Sequence, residues 1–209
     1  MYRGGRERAL MLVDDHEMIL FGLKHFIDSK NKWIVTDCAK SIDTAKELLQ
    51  KASANELLPK IIVIDIELGE ESGFDLAQYV RKQYPSMKII MYTMHDENYY
   101  VLKARQLKIE GFISKAADSE EFIKCLDAVY SGKEYLEERL VKGQILIDEA
   151  VSLLTKREVL IFSEMLNGKT NEEISKKLNL TKHSVEVYAT TIYEKLLCKS
   201  RAELIKKYR

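Results

Sequence analysis

Several short apolar runs in this chain end on residues that could do chemistry. Asp14 and Asp15 follow Ala9-Leu10-Met11-Leu12-Val13, and Asp65 follows Ile61-Ile62-Val63-Ile64. Thr93 follows Met87 to Tyr92, and Lys115 follows Gly111-Phe112-Ile113-Ser114. Three carboxylates brought together repel one another unless a cation compensates them. An all-oxygen set suits Mg2+, which keeps several waters and takes one or two carboxylates together with a phosphate oxygen. With that ion and an ammonium alongside, a carboxylate can act as a nucleophile toward phosphorus, and a hydroxyl can hold a phosphoryl oxygen. Taken singly, each residue has an ordinary explanation. A carboxylate after a strand often caps the next helix, a lone lysine is usually a surface charge, and threonine favours strands. Recurrence at the ends of successive runs is what points to a site.

For these residues to meet, the runs must be strands of one parallel sheet. Ile61 to Ile64 is β-branched at every position and bounded by Pro59 and by the loop holding Gly69 and Gly73. That is the pattern of a strand buried on both faces. Trp33 to Cys38 adds a further strand. Between the strands, apolar residues recur at helical spacing. They are Ile19, Leu23, Phe26 and Ile27; Ala45, Leu48 and Leu49 behind a capping Ser41; Phe74, Ala77 and Val80 before Pro85; and Phe122, Ile123, Leu126 and Val129, closed by Gly132. A further helix is expected from about residue 96 to 107, the helix behind Ser41 is expected to run through Leu49, and 67–72 reads as a polar loop. Five strands alternating with five helices predict an α/β fold with right-handed crossovers and helices on both faces of the sheet. The carboxyl edge of such a sheet is where ligands bind.

With 209 residues the chain can build two cores. Residues 132–153 form a charged, partly amphipathic connector, expected to be one linking helix plus a tether. From Leu154 onward there is no strand pattern. Helical patterns open there at Thr155, Thr170, Thr181 and near Ser200, with breaks at Asn167-Gly168 and Asn179. Residues 150–209 carry 12 Lys+Arg against 7 Asp+Glu, leaving 21 against 26 before them. An acidic front and a basic back suggest two domains with different partners. No apolar run is long enough to cross a bilayer, and no secretory segment opens the chain, so a soluble, cytoplasmic protein with no membrane partner is expected. Residues 1–8 lack an apolar pattern and are expected to precede the fold. Cys38, Cys125 and Cys198 are widely spaced, with no C-x-x-C pair, and read as packing residues.

The order Leu-Val-Asp14-Asp15-His, Ile-Val-Ile-Asp65 with Ser72-Gly73 downstream, Met-Tyr-Thr93, and Gly111-Phe112-x-x-Lys115 resembles the receiver domain of two-component response regulators over residues 9–131. The resemblance implies a (βα)5 flavodoxin-like sheet. It implies that Asp65 accepts a phosphoryl group from a sensor histidine kinase, and that Asp14, Asp15, Asp65 and the backbone carbonyl of Glu67 hold Mg2+. Thr93 and Lys115 would bind phosphoryl oxygens, and Thr93 with Phe112 would form the switch. There are departures. Gly69 stands where the family commonly has proline, and Ala116 where proline or aspartate often follows the lysine. Glu67 and His95 lie two residues past Asp65 and Thr93. Bordering the path of attacking water, both are expected to tune dephosphorylation.

Residues 154–209 resemble the LuxR-type helix-turn-helix, through Leu154-Thr155-Lys156-Arg157-Glu158, Asn167-Gly168, Leu180-Thr181-Lys-His-Ser184-Val185, Ile192 and Ser200-Arg201-Ala202-Glu203-Leu204. The resemblance implies a recognition helix from Lys182 to about Leu197, laid in the major groove. Lys182, His183, Glu186, Val187 and Thr190 would face base edges, while Lys169, Thr181, Lys182 and Lys195 would meet phosphates. Glu186 replaces a usual lysine, Tyr188 a usual histidine and Lys156 a usual proline. A carboxylate at 186 weakens phosphate attraction but can accept a hydrogen bond from cytosine N4.

Together these features predict a phosphorylation-controlled transcription regulator of the NarL/LuxR type, binding promoter DNA as a homodimer when active. It is not expected to be an enzyme beyond self-phosphorylation and self-dephosphorylation at Asp65. A haloacid-dehalogenase-like phosphatase wants D-x-D at the nucleophile, which Asp65-Ile66-Glu67 breaks. A protein-interaction adaptor whose helical module has lost DNA binding is the rival that Glu186 favours.

Overall fold

The computed structural model describes residues 8–95 and 97–209. The expectations for residues 1–7 and for position 96 lie outside the described residues. The described residues form two compact units, 8–95 with 104–137 and 97–103 with 138–209.

In chain order the first part runs β1 (Ala9–Val13), α1 (Glu17–Ser29), β2 (Ile34–Ala39), α2 (Ile42–Ala54), β3 (Ile61–Ile64), β4 (Glu67–Leu68), β5 (Glu71–Ser72), α3 (Gly73–Gln83), β6 (Lys88–Thr93), α4 (Asn98–Gln106), β7 (Gly111–Ser114), α5 (Ser119–Tyr130) and β8 (Tyr135–Leu136). A parallel sheet has the order β2-β1-β3-β6-β7-β8. Every residue of β1, β3 and β7 is buried, as their unbroken apolar composition requires. Leu20 and Ile27 of α1 and Phe122, Leu126 and Val129 of α5 pack with Leu10, Leu12, Val63 and Ile113 in one core cluster.

Three local features differ from the sequence expectation. The sheet has a sixth strand, β8, only two residues long, too short to carry a periodic signal. The expected polar loop after Asp65 closes into a hairpin, with Glu67 opposite Ser72 and Leu68 opposite Glu71; Gly69 supplies the turn with φ +66°. Helix α2 runs past Leu49 to Ala54, because good helix formers extend it where apolar periodicity has stopped.

The second unit contains α6 (Glu138–Ser152), α7 (Lys156–Leu166), α8 (Asn171–Leu178), α9 (Lys182–Lys195) and α10 (Arg201–Tyr208). Thr155 with Glu158 and Thr170 with Glu173 form capping boxes at α7 and α8. Asn179 ends α8 in the left-handed conformation, φ 52°, which an asparagine tolerates better than most residues. Ile161, Phe162, Met165, Ile174, Val185, Ile192 and Leu204 form its core, and Tyr99 and Leu102 belong to the same cluster.

Candidate functional site

The register of the sheet brings the chemical residues to one edge. Val13 pairs with Ile64 and Ile64 with Met91, so the residues that follow β1 and β3 leave the sheet side by side. Asp65 N–H donates to Val13 O at 2.9 Å, and Lys115 N–H donates to Thr93 O at 2.7 Å. Behind Asp65, Gly73 lies so close that an added Cβ would collide with the Asp65 carbonyl oxygen. Its N–H donates to Ile66 O at 2.7 Å, closing the hairpin segment under the carboxylate.

Lys115 Nζ sits 2.6 Å from both Asp14 Oδ2 and Asp65 Oδ2, with the three side chains 6%, 4% and 6% exposed. Burial works against the ammonium's charge, but the hydrogen bonds from Asp14 and Asp65 outweigh it and hold Lys115 above the ordinary lysine value. Three further carboxylate oxygens are held by backbone. Asp65 Oδ1 accepts from Ile66 N–H at 2.7 Å, Asp14 Oδ1 from His16 N–H at 2.9 Å and Asp15 Oδ2 from Gly69 N–H at 3.2 Å. The last bond needs an amide that proline lacks, so it depends on this chain's departure at 69.

Thr93 is fully buried, and its Oγ1 accepts from His95 N–H at 3.2 Å. The hydroxyl therefore keeps its own proton to donate. Phe112 is buried on β7. Glu67 opens β4, and its side chain meets His95, Oε1 to Nε2, at 2.9 Å.

A dication suits this cluster. Lys115 offers one positive charge against the carboxylates of Asp14, Asp15 and Asp65, so net negative charge remains for a metal to offset. Asp15 Oδ1 is moreover buried without a hydrogen-bond partner among the described residues. The donor atoms of Asp14, Asp15, His16 and Asp65 lie within 4.8 Å of one another. His16 was legible in the sequence only as the residue after the acidic pair, with no signal that its ring turns toward them.

In the helical unit, Lys182, His183, Glu186, Val187 and Thr190 are all exposed along one side of α9, while Val185, Ala189 and Ile192 are buried. Val187 is 53% exposed, an apolar side chain on an otherwise polar face. Thr181 caps the helix by accepting from Ser184 N–H at 3.0 Å. Lys195 bonds both Glu158 oxygens at 2.9 and 2.7 Å, and Lys169 lies 3.4 Å from Glu173. Thr181, Lys195 and Lys169 thus have structural partners within the unit; those of Thr181 and Lys169 lie at capping and i,i+4 spacing, whereas the pairing of Lys195 with Glu158 is one that sequence spacing could not reveal. Burial works against the Glu158 charge, but its bonds to Lys195 and Thr155 prevail and hold the carboxyl below the usual glutamate value.

An acidic parallel-sheet edge gripped by a buried lysine, in a chain that goes on to a helix-turn-helix, defines a receiver coupled to a DNA-binding type of module. Comparison with known proteins agrees. The response regulator receiver domain family matches residues 10–127, and the bacterial regulatory proteins, luxR family, matches residues 152–208. The transcriptional regulatory protein MctR of Rhizobium johnstonii is 25% identical over 199 residues, covering 94% of this chain and 91% of that protein. The transcriptional regulatory protein ComA of Bacillus subtilis is 27% identical over 208 residues, covering 95% of each. Among solved structures, RcsB from Salmonella enterica serovar Typhimurium bound to a promoter has a TM-score of 0.65 at 21% identity, covering 97% of this chain and 98% of that one. At that identity the likeness concerns the fold. The chain belongs to the response regulators, pairing a receiver domain with a LuxR-type helix-turn-helix. Among the described residues, no helix is long and apolar enough to cross a membrane.

Proposed function

We propose that this response regulator accepts a phosphoryl group on Asp65 from a sensor histidine kinase and, as a homodimer, controls transcription by binding promoter DNA. The observation that carries this reading is the position of Lys115, 2.6 Å from both Asp14 and Asp65 in a buried site. An Asp65 carboxylate oxygen attacks phosphorus, forming the P–O bond as the donor's P–N bond breaks and the electron pair leaves with the donor imidazole. Lys115 offsets the charge that arrives, and the Thr93 hydroxyl donates to a phosphoryl oxygen. Asp14, Asp15, Asp65 and the Glu67 carbonyl would hold Mg2+, which supplies charge neutralisation for the transferring group. Positioning and electrostatics are what phosphoryl transfer chiefly needs. Movement of Thr93 toward the new oxygens changes the packing available to Phe112, which links the site to the outer face of the receiver. Lys182, His183, Glu186, Val187 and Thr190 would then read the major groove, two copies lying about 10 bp apart.

The receiver boundaries that accompany this reading are 9–131, with 132–153 as connector and 154–209 as the DNA-binding module. The test is treatment of wild type and Asp65→Ala with acetyl phosphate and Mg2+, followed by intact-mass measurement and selection of bound fragments from genomic DNA. Phosphate uptake only in wild type, with specific DNA enriched, is expected. Uptake that survives Asp65→Ala overturns the acceptor assignment, and absence of specific DNA in every state favours an adaptor role.

A further inference from the structure

The exposed side of α9 carries acceptors at its centre. Among the glutamates of α7 to α10, Glu158, Glu164, Glu172 and Glu173 are each met by a lysine, and Glu203 accepts the Lys199 N–H. The exposed Glu186 carboxylate has no such partner among the described residues, although Lys182 stands one helical turn away. One turn further on, the Thr190 hydroxyl donates to Glu186 O at 3.1 Å. Its proton is committed inside the helix, so its remaining lone pairs add acceptors to the exposed side. Lys182 and His183, the donors here, lie in the first turn of the helix. Next to Glu186, Val187 presents a branched apolar side chain to solvent.

Base edges in the major groove differ in what they offer such a face. Guanine presents two acceptors, which a carboxylate repels; adenine presents a donor beside an acceptor; cytosine presents its N4 donor with no acceptor beside it. A carboxylate only accepts, so cytosine is its best match. An exposed apolar side chain is matched by the thymine methyl. We propose that Glu186 and Val187 set the sequence preference of this module, Glu186 selecting cytosine and rejecting guanine at one position, and Val187 selecting thymine at a neighbouring one. The inference rests on the reading of α9 as the helix that enters the major groove. The same carboxylate that weakens the hold on phosphates then chooses the base, so weak binding to arbitrary DNA and sharp choice among sequences go together.

The test incubates the full chain, with and without acetyl phosphate and Mg2+, with a pool of randomised DNA duplexes, then measures binding to the selected site and to its single-base variants. Wild type is expected to enrich a site in which exchange of one C·G pair for G·C weakens binding by about tenfold or more. Glu186→Gln, whose amide both donates and accepts, is expected to lose most of that ratio. At a neighbouring position, replacing thymine by uracil removes only the methyl; this should weaken wild type by about threefold to fourfold and leave Val187→Ala unaffected. Both side chains are exposed, so the folded unit survives either change. A selected site without a cytosine preference, or one whose preference survives Glu186→Gln, overturns the assignment of Glu186. A uracil effect that is absent, or equal in wild type and Val187→Ala, overturns that of Val187. No enriched sequence for wild type in either state removes the promoter-binding reading itself, and the inference with it.

Discussion

His95 Nε2 lies 2.9 Å from Glu67 Oε1. This contact ties together the segments that follow two adjacent strands, β3 and β6, across the edge that holds Asp65. Glu67 is 69% exposed, so the pair contributes little to stability, and its effect should fall on access to Asp65. Glu67→Ala and His95→Ala, made singly, are expected to speed loss of phosphate from the phosphorylated protein by roughly threefold to tenfold, about 1 kcal/mol in barrier. Phosphate release after removal of the donor measures this, and an unchanged decay rate in both variants contradicts it.

Replacing Lys115 by methionine leaves the buried Asp14 and Asp65 carboxylates facing each other without their ammonium. Removing one partner of a buried pair costs about 3–5 kcal/mol. Lys115→Met should therefore unfold at lower temperature than wild type at neutral pH. Divalent cation, replacing the lost charge, should raise its melting temperature more than that of wild type. Thermal scans with and without Mg2+ decide the point.

Gly73 and Gly22 make opposite predictions for the same substitution. A Cβ at Gly73 meets the backbone of Asp65, while one at Gly22 has open space around it. Gly73→Ala should cost about 3 kcal/mol, and Gly22→Ala, in the interior of α1, should stabilise by about 0.5–1 kcal/mol. Urea unfolding midpoints would reveal a failure of either sign.

The Glu158–Lys195 pair should give the helical unit a pH signature. The folded Glu158 carboxyl is held below its ordinary value of 4.5, so its stabilising contribution is present above that value and disappears as pH falls through the depressed folded pKa. Glu158→Gln should destabilise at pH 7 by about 1–3 kcal/mol and match wild type in strong acid. A penalty that stays constant with pH would assign the effect to capping alone.

If α9 enters the major groove, Glu186 opposes the phosphate backbone. Glu186→Lys should raise affinity for DNA of any sequence and steepen the salt dependence by about one unit of log–log slope. Binding isotherms at several salt concentrations check this, and an unchanged slope would place residue 186 away from the phosphates.

The site edge was legible because each buried strand announces itself as an apolar run and ends on its chemical residue, and a parallel sheet then aligns those ends. Asp14, Asp65, Thr93 and Lys115 need no further information to be brought together. What stayed hidden is contact chosen by the tertiary fold. The turn of His16 toward Asp15, the use of Lys195 by Glu158, and the close seat of Gly73 on Asp65 join residues whose spacing carries no period. The hairpin from Glu67 to Ser72 and the strand Tyr135–Leu136 were missed for another reason. Two-residue strands are shorter than any alternation that could identify them.

That last strand has a consequence for how copies of the protein can meet. Beside β7, Tyr135 and Leu136 pair with Gly111 and Phe112, and the buried Glu137 carboxylate accepts the Ser114 N–H at 2.8 Å. Without them β7 would border the sheet as an open row of amides and carbonyls, a template for a strand from another molecule. The border passes instead to β8, the last strand of the sheet, which at two residues offers a far shorter template for an incoming strand.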